Sequence, residues 1–278
     1  MKNFKHVGYL GPEGTFSHEA VLKVVDEDSS IMAFDDIISI FESLDSGCID
    51  EAVVPIENST QGSVLVTLDA LSSYDVNIIA EFELAIKHNL LAQKDVTLDD
   101  ISVICSHPQA IAQCRHYINS ISKTVHAMSS TANAARYVCE LSTAAVIGSS
   151  VLKQKYGLEF LERNIQDYDN NTTRFVILSK EKQKNSTAND KTSIIISLIG
   201  DKPGGLYEIL EVFAQEAINL TKIESRPSKK GMGNYIFFID MEGHITQKNI
   251  VNALTTIRSK VDKLKILGSY KIITVGGN

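Results

Sequence analysis

Two hydroxyls and a guanidinium stand directly before an apolar run in the segment Thr172-Thr173-Arg174. The run that follows, Val176-Ile177-Leu178, predicts a short buried strand. An Arg side chain can bind a carboxylate through two parallel N–H bonds, and a neighbouring Thr hydroxyl can hydrogen-bond a ligand hydroxyl. The alternative is an ordinary strand entry, with Thr present for its β propensity and a solvated Arg.

Several turns rich in hydroxyl or amide side chains each follow an apolar, strand-like run. They begin at Gly11, Pro55, Ser106, Ser129 and Gly148. Strands that alternate with helices predict a mostly parallel sheet, and ligands of such sheets lie beyond the carboxyl ends of the strands. The turns therefore predict a polar cleft, although α/β folds cap their helices with the same residues in any case.

Composition limits the classes of partner. A chain of 278 residues predicts two or three domains, and 44% hydrophobic with 22% charged residues is typical of a globular protein. The net charge of −7 argues against nucleic acid or a membrane surface as a partner. An anionic substrate would therefore need local positive potential from an Arg, a His or helix N-termini.

The four cysteines, Cys48, Cys105, Cys114 and Cys139, form no Cys-x-x-Cys pair. Buried thiols in a reducing cytoplasm are the expected interpretation. No metal site is predicted, because the seven histidines do not lie at ligand spacing beside these cysteines. No signal sequence or membrane-spanning run is predicted either.

A polar segment, residues 181–191, carries no long apolar side chain and predicts a linker. The pattern beyond it, residues 192–278, predicts the order β-α-β-β-α-β of a ferredoxin-like domain. The predicted strands cover 192–199, 219–225, 234–241 and 265–275, the helices cover 206–213 and 250–261, and Gly231 and Gly233 form the turn between the middle strands.

The chain resembles the prephenate dehydratases through four motifs in family order. These are Gly11-Pro12-Glu13-Gly14-Thr15-Phe16-Ser17, Pro55-Ile56-Glu57-Asn58-Ser59, Ser106-His107-Pro108-Gln109-Ala110 and Thr173-Arg174-Phe175. The C-terminal region resembles an ACT domain, a module that binds amino acids. Its phenylalanine signatures correspond to Gly204-Gly205-Leu206 and Glu224-Ser225-Arg226-Pro227. Gly205 departs from the family Ala and loosens the turn, which puts the affinity for the effector in question.

The resemblance implies a domain organisation. A catalytic region, 1–180, would form two α/β lobes around a cleft, like the bi-lobed periplasmic binding proteins. Lobe one would comprise 1–80 plus 166–180, and lobe two 81–165. The linker 181–191 would lead into an ACT regulatory domain, 192–278.

The resemblance also implies a carbon–oxygen lyase of phenylalanine biosynthesis that needs no cofactor. Prephenate would lose its ring carboxylate as CO2 and its ring hydroxyl as water, which gives phenylpyruvate. Thr173 would donate a hydrogen bond to the leaving hydroxyl, Arg174 would anchor a carboxylate, and Phe175 would wall the ring unless it packs in the core. The polar lining would comprise Thr15, Glu57, Asn58, Ser59, Ser106, His107 and Thr172.

Two of these lining residues carry alternatives. The Glu57 carboxylate would repel a dianionic substrate unless it pairs with a cation or carries a proton. His107 would act as a proton donor or make a structural bond at a helix start.

Regulation is the second expectation from the resemblance. Phenylalanine would bind between ACT domains of paired subunits in a homodimer or homotetramer, at Gly204, Gly205, Leu206, Glu224, Ser225, Arg226 and Pro227. Two rival functions remain: an arogenate dehydratase, with the same chemistry on the aminated substrate, and a non-catalytic amino-acid sensor. A simple sensor would not need Thr173-Arg174-Phe175 in this form.

Overall fold

The computed structural model of the chain describes residues 5–183, 185–187, 189–200, 203–228 and 235–276. The strands before residue 180 are β1 (His6–Leu10), β2 (Ser30–Phe34), β3 (Glu51–Asn58), β4 (Gly62–Ser63), β5 (Asn77–Ala85), β6 (Asn89–Ala92), β7 (Val103–Ser106), β8 (Thr124–Ala127), β9 (Ala144–Gly148), β10 (Glu159–Glu162) and β11 (Thr172–Ser179). The helices of this region are α1 (Phe16–Val24), α2 (Ile37–Asp45), α3 (Leu65–Ser73), α4 (Pro108–Gln113), α5 (Arg115–Ile121), α6 (Thr131–Glu140) and α7 (Val151–Tyr156).

The remaining elements form the C-terminal region. They are β12 (Asp190–Leu198), α8 (Gly205–Gln215), β13 (Leu220–Pro227), β14 (Tyr235–Glu242), α9 (Lys248–Arg258) and β15 (Val261–Ile273). This order confirms the predicted β-α-β-β-α-β arrangement. The predicted turn with Gly231 and Gly233 lies outside the described residues.

The described strands form two sheets. The larger sheet has the order β13-β14-β12-β15-β5-β11-β3-β1-β2, with β4 paired to β3. Strands β1, β2 and β3 are parallel, and β11 lies antiparallel between β3 and β5. The smaller sheet has the order β10-β6-β9-β7-β8, with β7, β8 and β9 parallel. Strands β1 to β5 and β11 of the larger sheet belong to lobe one, and the smaller sheet belongs to lobe two, which confirms the predicted α/β class.

The chain crosses between the lobes twice, at 86–88 and at 163–171. The two crossover segments bond to each other, because Ile86 N donates to Asn171 O at 2.8 Å and Ile165 N donates to His88 O at 2.8 Å. The first crossing follows Ala85, since β5 pairs with β11 up to that residue. The predicted boundary at 80/81 therefore falls inside a strand and moves to 85/86.

The C-terminal region packs through both faces of its sheet. On one face, Ile194 and Ile196 of β12 form a core with Ile209 and Phe213 of α8 and with Ile250 of α9. The opposite face contributes Ile195, Phe238, Leu267 and Tyr270 to the core of lobe one, which also contains Val176 and Leu178. A shared core of this kind ties the ACT sheet to the catalytic lobe.

The ACT sheet and the lobe-one sheet are also joined edge to edge. Strand β15 pairs in parallel with β5, with Lys271 opposite Ala80 and Ile273 opposite Phe82. Gly268 lies against β5, where an added Cβ would clash with the Ile78 carbonyl oxygen. Since β12 begins at Asp190, the last two residues of the predicted linker belong to this sheet.

No helix in the described ranges is long and apolar enough to cross a membrane.

Candidate active site

The cross-strand pair of Thr173 and Asn58 lies at the carboxyl edge of lobe one. Asn58 ends β3 and stands opposite Thr173 on β11. The Asn58 Nδ2 donates to Thr173 Oγ1 at 2.8 Å and to Asn171 Oδ1 at 2.9 Å. Both Asn58 and Thr173 are 9% exposed, so the pair is nearly closed off from water but lies at the edge where ligands bind in such sheets.

The orientation of the Asn58 amide is fixed by its own loop. Its Oδ1 accepts from the backbone N–H of Thr60 at 3.0 Å and of Gln61 at 3.1 Å. A backbone N–H can only donate, so this end of the amide must be the oxygen and the Nδ2 must face Thr173. Thr173 Oγ1 therefore accepts a hydrogen bond from Asn58 Nδ2. Among the described residues, no acceptor binds the hydroxyl proton of Thr173.

Ser59 and Thr172 join the two segments that carry this pair. Ser59 Oγ donates to Asn170 O at 3.0 Å and accepts from Thr172 N at 3.0 Å. Ser59 N donates to Thr172 O at 2.9 Å. Both residues of the predicted lining thus lie beside Thr173, and these hydrogen bonds hold its loop in place.

The two lobes touch along this edge. Gln109 Nε2 of lobe two donates to Gln61 Oε1 of lobe one at 3.0 Å. On the other side, Ser149 Oγ donates to Gly14 O at 3.2 Å. Thr15 caps α1 here by accepting from His18 N at 3.3 Å. Thr15 is therefore at the seam between the lobes, as a helix cap.

His18 contributes a neutral ring to the same seam. It stacks on Tyr9 with 5.2 Å between ring centroids, and its Nδ1 accepts from Gly14 N at 3.0 Å. Burial lowers the pKa of His18 below its ordinary value. The ring consequently supplies no fixed positive charge to an anionic ligand at neutral pH.

The lobe-two motif differs from the expectation at Ser106. This residue ends β7 and is fully buried, and its Oγ donates to Ile147 O at 2.6 Å. It bonds strand β9 rather than lining the cleft. His107 follows as the cap of the short helix α4, where its Nδ1 accepts from Gln109 N at 3.2 Å. This is the structural bond at a helix start that the sequence left open.

Arg174 also differs from the expectation. Neighbouring residues of a strand point to opposite faces, and Arg174 extends away from Thr173 into the interface with the ACT sheet. Its Nη2 lies 2.6 Å from Glu81 Oε2 and 2.7 Å from Asp240 Oδ2, and it donates to the Tyr270 hydroxyl at 3.3 Å. The guanidinium is thus paired with two buried carboxylates and is not directed to the cleft side of β11, where Thr173 lies.

The charges around Arg174 stabilise its protonated form. Burial alone would lower the pKa of Arg174, but Asp240, Tyr270 and Glu81 outweigh it and raise that pKa above its ordinary value. Burial and the same two carboxylates raise the pKa of Tyr270 well above its ordinary value. Lys191 completes the cluster with an ion pair to Glu81. Cations and carboxylates are thus matched inside this interface, as buried charges require.

Glu57 and Phe175 belong to the structural framework. Glu57 Oε2 lies 3.0 Å from Lys222 Nζ and 3.4 Å from Arg174 Nη1, so the carboxylate pairs with cations and does not face Thr173. Phe175 is 1% exposed and stacks on Phe82 with 5.6 Å between centroids. It packs in the core of lobe one and does not wall a substrate ring.

The predicted effector segments lie on the ACT region. Gly204, with a φ of +83°, caps the start of α8 and leads into Gly205 and Leu206. Arg226 Nη2 lies 3.1 Å from Asp69 Oδ1 of α3, and Glu224 accepts from Ser63 Oγ. Ser225 and Pro227 alternate with these side chains and are exposed. One face of β13 therefore contacts the catalytic lobe.

Sequence reasoning missed several residues that the fold brings to the site. Asn171 and Gln61 bond to the Asn58 loop, and Glu81, Asp240 and Lys222 form the charged interface behind it. Alternation along β11 was the signal that separates Thr173 from Arg174. Among the described residues, no three His, Cys, Asp or Glu side chains are grouped to hold a metal ion.

Comparison with known proteins identifies the family. The prephenate dehydratase family model matches residues 7–183, and the ACT domain model matches residues 192–259. The chain belongs to the prephenate dehydratase family. A prephenate dehydratase of Methanocaldococcus jannaschii is 42% identical to it and is covered over 98% of its length by 96% of this chain.

Solved structures agree with this assignment to the prephenate dehydratase family. A prephenate dehydratase from Arthrobacter aurescens, in complex with L-Phe, has a TM-score of 0.87 at 34% identity, with 96% of this chain and 90% of that chain covered. The quorum quenching acylase GqqA has a TM-score of 0.87 at 26% identity, with 97% and 98% covered. The same fold thus occurs under a second described activity, so function has to be argued from the site.

Proposed function

We propose that this chain catalyses the decarboxylating dehydration of prephenate to phenylpyruvate, and that Thr173 donates a hydrogen bond to the departing ring hydroxyl. The carbon–oxygen bond breaks as the ring carboxylate leaves as CO2, and the electron pair of the broken C–C bond completes the aromatic ring. The departing hydroxide takes a proton and leaves as water. Aromatisation supplies the driving force, so the reaction requires a placed donor rather than a redox partner.

The bond from Asn58 to Thr173 is the observation that carries this proposal. Because Asn58 Nδ2 occupies a lone pair of Thr173 Oγ1, the hydroxyl proton is directed elsewhere. A donor that is oriented before substrate arrives needs no reorganisation during the reaction, which is the condition for effective transition-state stabilisation. Thr is too weak an acid to lose its proton outright, so it would act as donor and relay.

The carboxylates of the substrate would be held without Arg174. That guanidinium is balanced by Glu81 and Asp240 on the opposite face of β11. Hydroxyls, amides and the N-terminus of α1, capped by Thr15 at the seam, remain as donors for an anion. Thr172 and Ser59 would contribute to this polar lining.

Formation of phenylpyruvate from prephenate by the purified chain tests the proposal. Product formation that is lowered by about 10²–10³-fold in Thr173→Ala would support it. No product from prephenate, and none from arogenate, would refute the catalytic function and favour a binding protein. Turnover on arogenate that exceeds turnover on prephenate would favour the arogenate dehydratase alternative.

Phenylalanine is the proposed feedback effector of the ACT region. Support comes from the ACT match, from the L-Phe bound in the Arthrobacter aurescens relative, and from the Glu224-Ser225-Arg226-Pro227 strand end. The glycine turn at Gly204 would let an amino acid approach the backbone. Calorimetric titration with phenylalanine tests this part, and the absence of a heat of binding would refute it.

A homodimer or homotetramer is proposed as the assembly. The edge strand β13 carries Ile223 at 46% exposure, and Ile199, Tyr207 and Tyr235 are 56%, 65% and 48% exposed. Exposed apolar side chains beside an unpaired strand edge favour association. Light scattering after size exclusion tests it, since a monomeric mass at micromolar concentration would contradict the proposal.

A reducing compartment, the cytoplasm, is proposed as the location. All four cysteines are free; Cys105 and Cys114 are buried as expected, whereas Cys48 and Cys139 are exposed, which corrects the expectation of four buried thiols. Exposed thiols without disulfide partners are typical of reducing environments. Fractionation of the source cells, followed by immunoblotting, tests the assignment.

A further inference from the structure

Lys222 of β13 places its ammonium group between the ACT region and the catalytic lobe. Its Nζ lies 3.0 Å from Glu57 Oε2 and 3.4 Å from Glu224 Oε2, and it donates to Ser63 Oγ at 2.6 Å. The Lys222 side chain is 9% exposed. A cation this deeply buried depends on nearby carboxylates, and Lys222 has one from each side of the interface.

On the catalytic side, Lys222 holds both strands of one hairpin. Glu57 on β3 stands opposite Ser63 on β4, and the next pair is Asn58 with Gly62. The loop between these strands is the one that Asn58 Oδ1 organises through Thr60 and Gln61. A shift of the hairpin therefore displaces Asn58, whose amide orients the Thr173 hydroxyl.

On the regulatory side, Lys222 shares the carboxylate of Glu224. Glu224 is the first residue of the strand-end segment that the proposed function assigns to the effector. Besides its contact with Lys222, it accepts a hydrogen bond from Ser63 Oγ. The α-ammonium group of a bound amino acid has the same charge and the same donors as the lysine ammonium. The two cations would therefore compete for Glu224.

We propose that Lys222 couples the effector site to the catalytic pair by passing between Glu224 and Glu57. When an amino-acid ammonium takes Glu224, Lys222 loses one of its two carboxylates and moves fully onto Glu57. The hairpin 57–63 follows, and the Asn58–Thr173 bond is displaced. This mechanism rests on the proposed function, since it needs both the Thr173 chemistry and phenylalanine as effector.

The arrangement meets the requirement for allosteric coupling. An effector shifts an equilibrium only through a difference in its interactions with the two states. Here the difference is Glu224, which is paired with Lys222 in one state and with the effector in the other. Coupling between two binding sites typically changes an affinity by roughly five- to 150-fold, and we expect Lys222 to carry most of that factor.

The test replaces Lys222 by Met and measures inhibition and binding separately. The matched control is Lys265→Met, because Lys265 also reaches across the interface, where its Nζ donates to Leu71 O at 2.7 Å and Tyr74 O at 2.6 Å. Lys265 contacts neither Glu57 nor Glu224 in the described structure. Phenylpyruvate formation is followed over a range of phenylalanine concentrations, and phenylalanine binding is measured by calorimetry.

We expect Lys222→Met to bind phenylalanine and to lose inhibition, with the half-inhibitory concentration raised by about tenfold or more. Lys265→Met is expected to be inhibited like the wild type. Lys222→Arg, which keeps the charge, should retain inhibition. Glu57→Gln should reproduce the loss, and the double variant Lys222→Met/Glu57→Gln should add nothing further, because both changes remove one link.

Several outcomes would overturn the coupling. Normal inhibition of Lys222→Met refutes it, and equal loss in Lys265→Met shows a general docking effect instead. Loss of phenylalanine binding in Lys222→Met assigns the residue to the effector site itself. The wild type is measured before any variant is made. If it forms product but is not inhibited by phenylalanine, the regulation and the coupling are both refuted. If it forms no product, the proposed catalysis is refuted.

Discussion

The two faces of the β3–β11 strand pair differ in charge, since one carries neutral polar side chains and the other carries charged ones. On the cleft face, Asn58 and Thr173 form a neutral hydrogen-bonded pair at 2.8 Å. On the interface face, their chain neighbours are charged: Arg174 is held by the buried carboxylates of Glu81 and Asp240, and the partly exposed Glu57 lies 3.4 Å from it. The register that pairs Thr173 with Asn58 also pairs Arg174 with Glu57, so one strand pairing sets both faces.

Two consecutive residues of β11 thus have different roles: Thr173 belongs to the proposed catalytic pair, and Arg174 holds the ACT sheet to lobe one. The neutral face can orient a hydroxyl without presenting a carboxylate to a dianionic substrate. The charged face needs the ACT sheet, because Asp240 and Tyr270 come from β14 and β15. Substitutions on the two faces should therefore have different signatures, in turnover on one and in stability on the other.

The largest expected effect is on the interface face, with Arg174→Met. Removal of the guanidinium leaves Asp240 buried without its cation and leaves Glu81 with Lys191 alone, which costs about 3–5 kcal/mol in the free energy of unfolding. Urea denaturation measures the loss. Lys153→Met is the control, because the Lys153–Glu159 pair is exposed and contributes at most about 1 kcal/mol.

A second variant checks the cause of that loss. In the background Glu81→Gln/Asp240→Asn, the change Arg174→Met should cost much less, because it no longer leaves a buried carboxylate without its guanidinium. An equal cost in both backgrounds would contradict the ionic explanation.

On the cleft face, Thr173→Ala should lower kcat by about 10²–10³-fold, the usual cost of a missing donor to a developing charge. Stability should change little, because the side chain lies at the edge of the lobe. Thr173→Ser keeps the hydroxyl and should retain most of the turnover. Wild-type kcat in both variants, with normal folding, would show that Thr173 is not the donor.

Asn58→Asp should have a smaller effect on kcat, up to about 100-fold, because it misplaces the donor rather than removing it. The carboxylate can still accept from Thr60 N and Gln61 N, but it cannot donate to Thr173 Oγ1. It would instead accept the Thr173 proton and turn it away from substrate. Turnover unchanged in Asn58→Asp would contradict the orientation inferred for Thr173.

The smallest expected effect is a pH dependence from His88 in the first crossover. Its Nε2 bonds Gln113 Oε1 at 2.8 Å, its Nδ1 is buried without a partner in the described structure, and burial lowers its pKa. The unfolded state therefore binds the proton first. The contribution of neutral, buried His88 to the free energy of unfolding is therefore full above about pH 6.5, the pKa of an unfolded His. It is lost as the pH falls through the lower pKa of His88 in the folded state.

The measurement compares urea unfolding of wild type and His88→Gln at pH 7.5 and pH 5.5. The wild type should lose at most about 1.4 kcal/mol per pH unit from this group, and the variant should lose less. Parallel pH profiles would show that His88 does not contribute. His18, whose pKa is also lowered by burial, acts in the same direction in both proteins.

Local sequence patterns were sufficient to predict the fold and the sheet edge at which several site residues lie. Apolar runs followed by hydroxyl-rich turns predicted the strands and their carboxyl edge, which is where Thr173, Asn58 and Thr15 lie. Alternation along β11 already implied that Thr173 and Arg174 face opposite sides, but the resemblance to a motif grouped them together. The identity of a motif says nothing about which face each side chain takes.

The interface could not be predicted, because it depends on pairings between distant parts of the chain. Lys222 meets Glu57, and Arg174 meets Asp240, only after the ACT sheet has packed on lobe one. Ser106 was misassigned for a related reason, since its burial depends on β9 rather than on its own turn. No local signal marks a polar residue as buried by a later strand.

The parallel pairing of β15 with β5 has a consequence for the newly made chain. Residues 80–82 leave the ribosome long before residues 271–273, which are their sheet neighbours. During that interval the edge of β5 presents unpaired N–H and C=O groups, the kind of edge on which nascent chains associate wrongly. The β5 edge of lobe one therefore stays without its sheet neighbour until β15 has been translated.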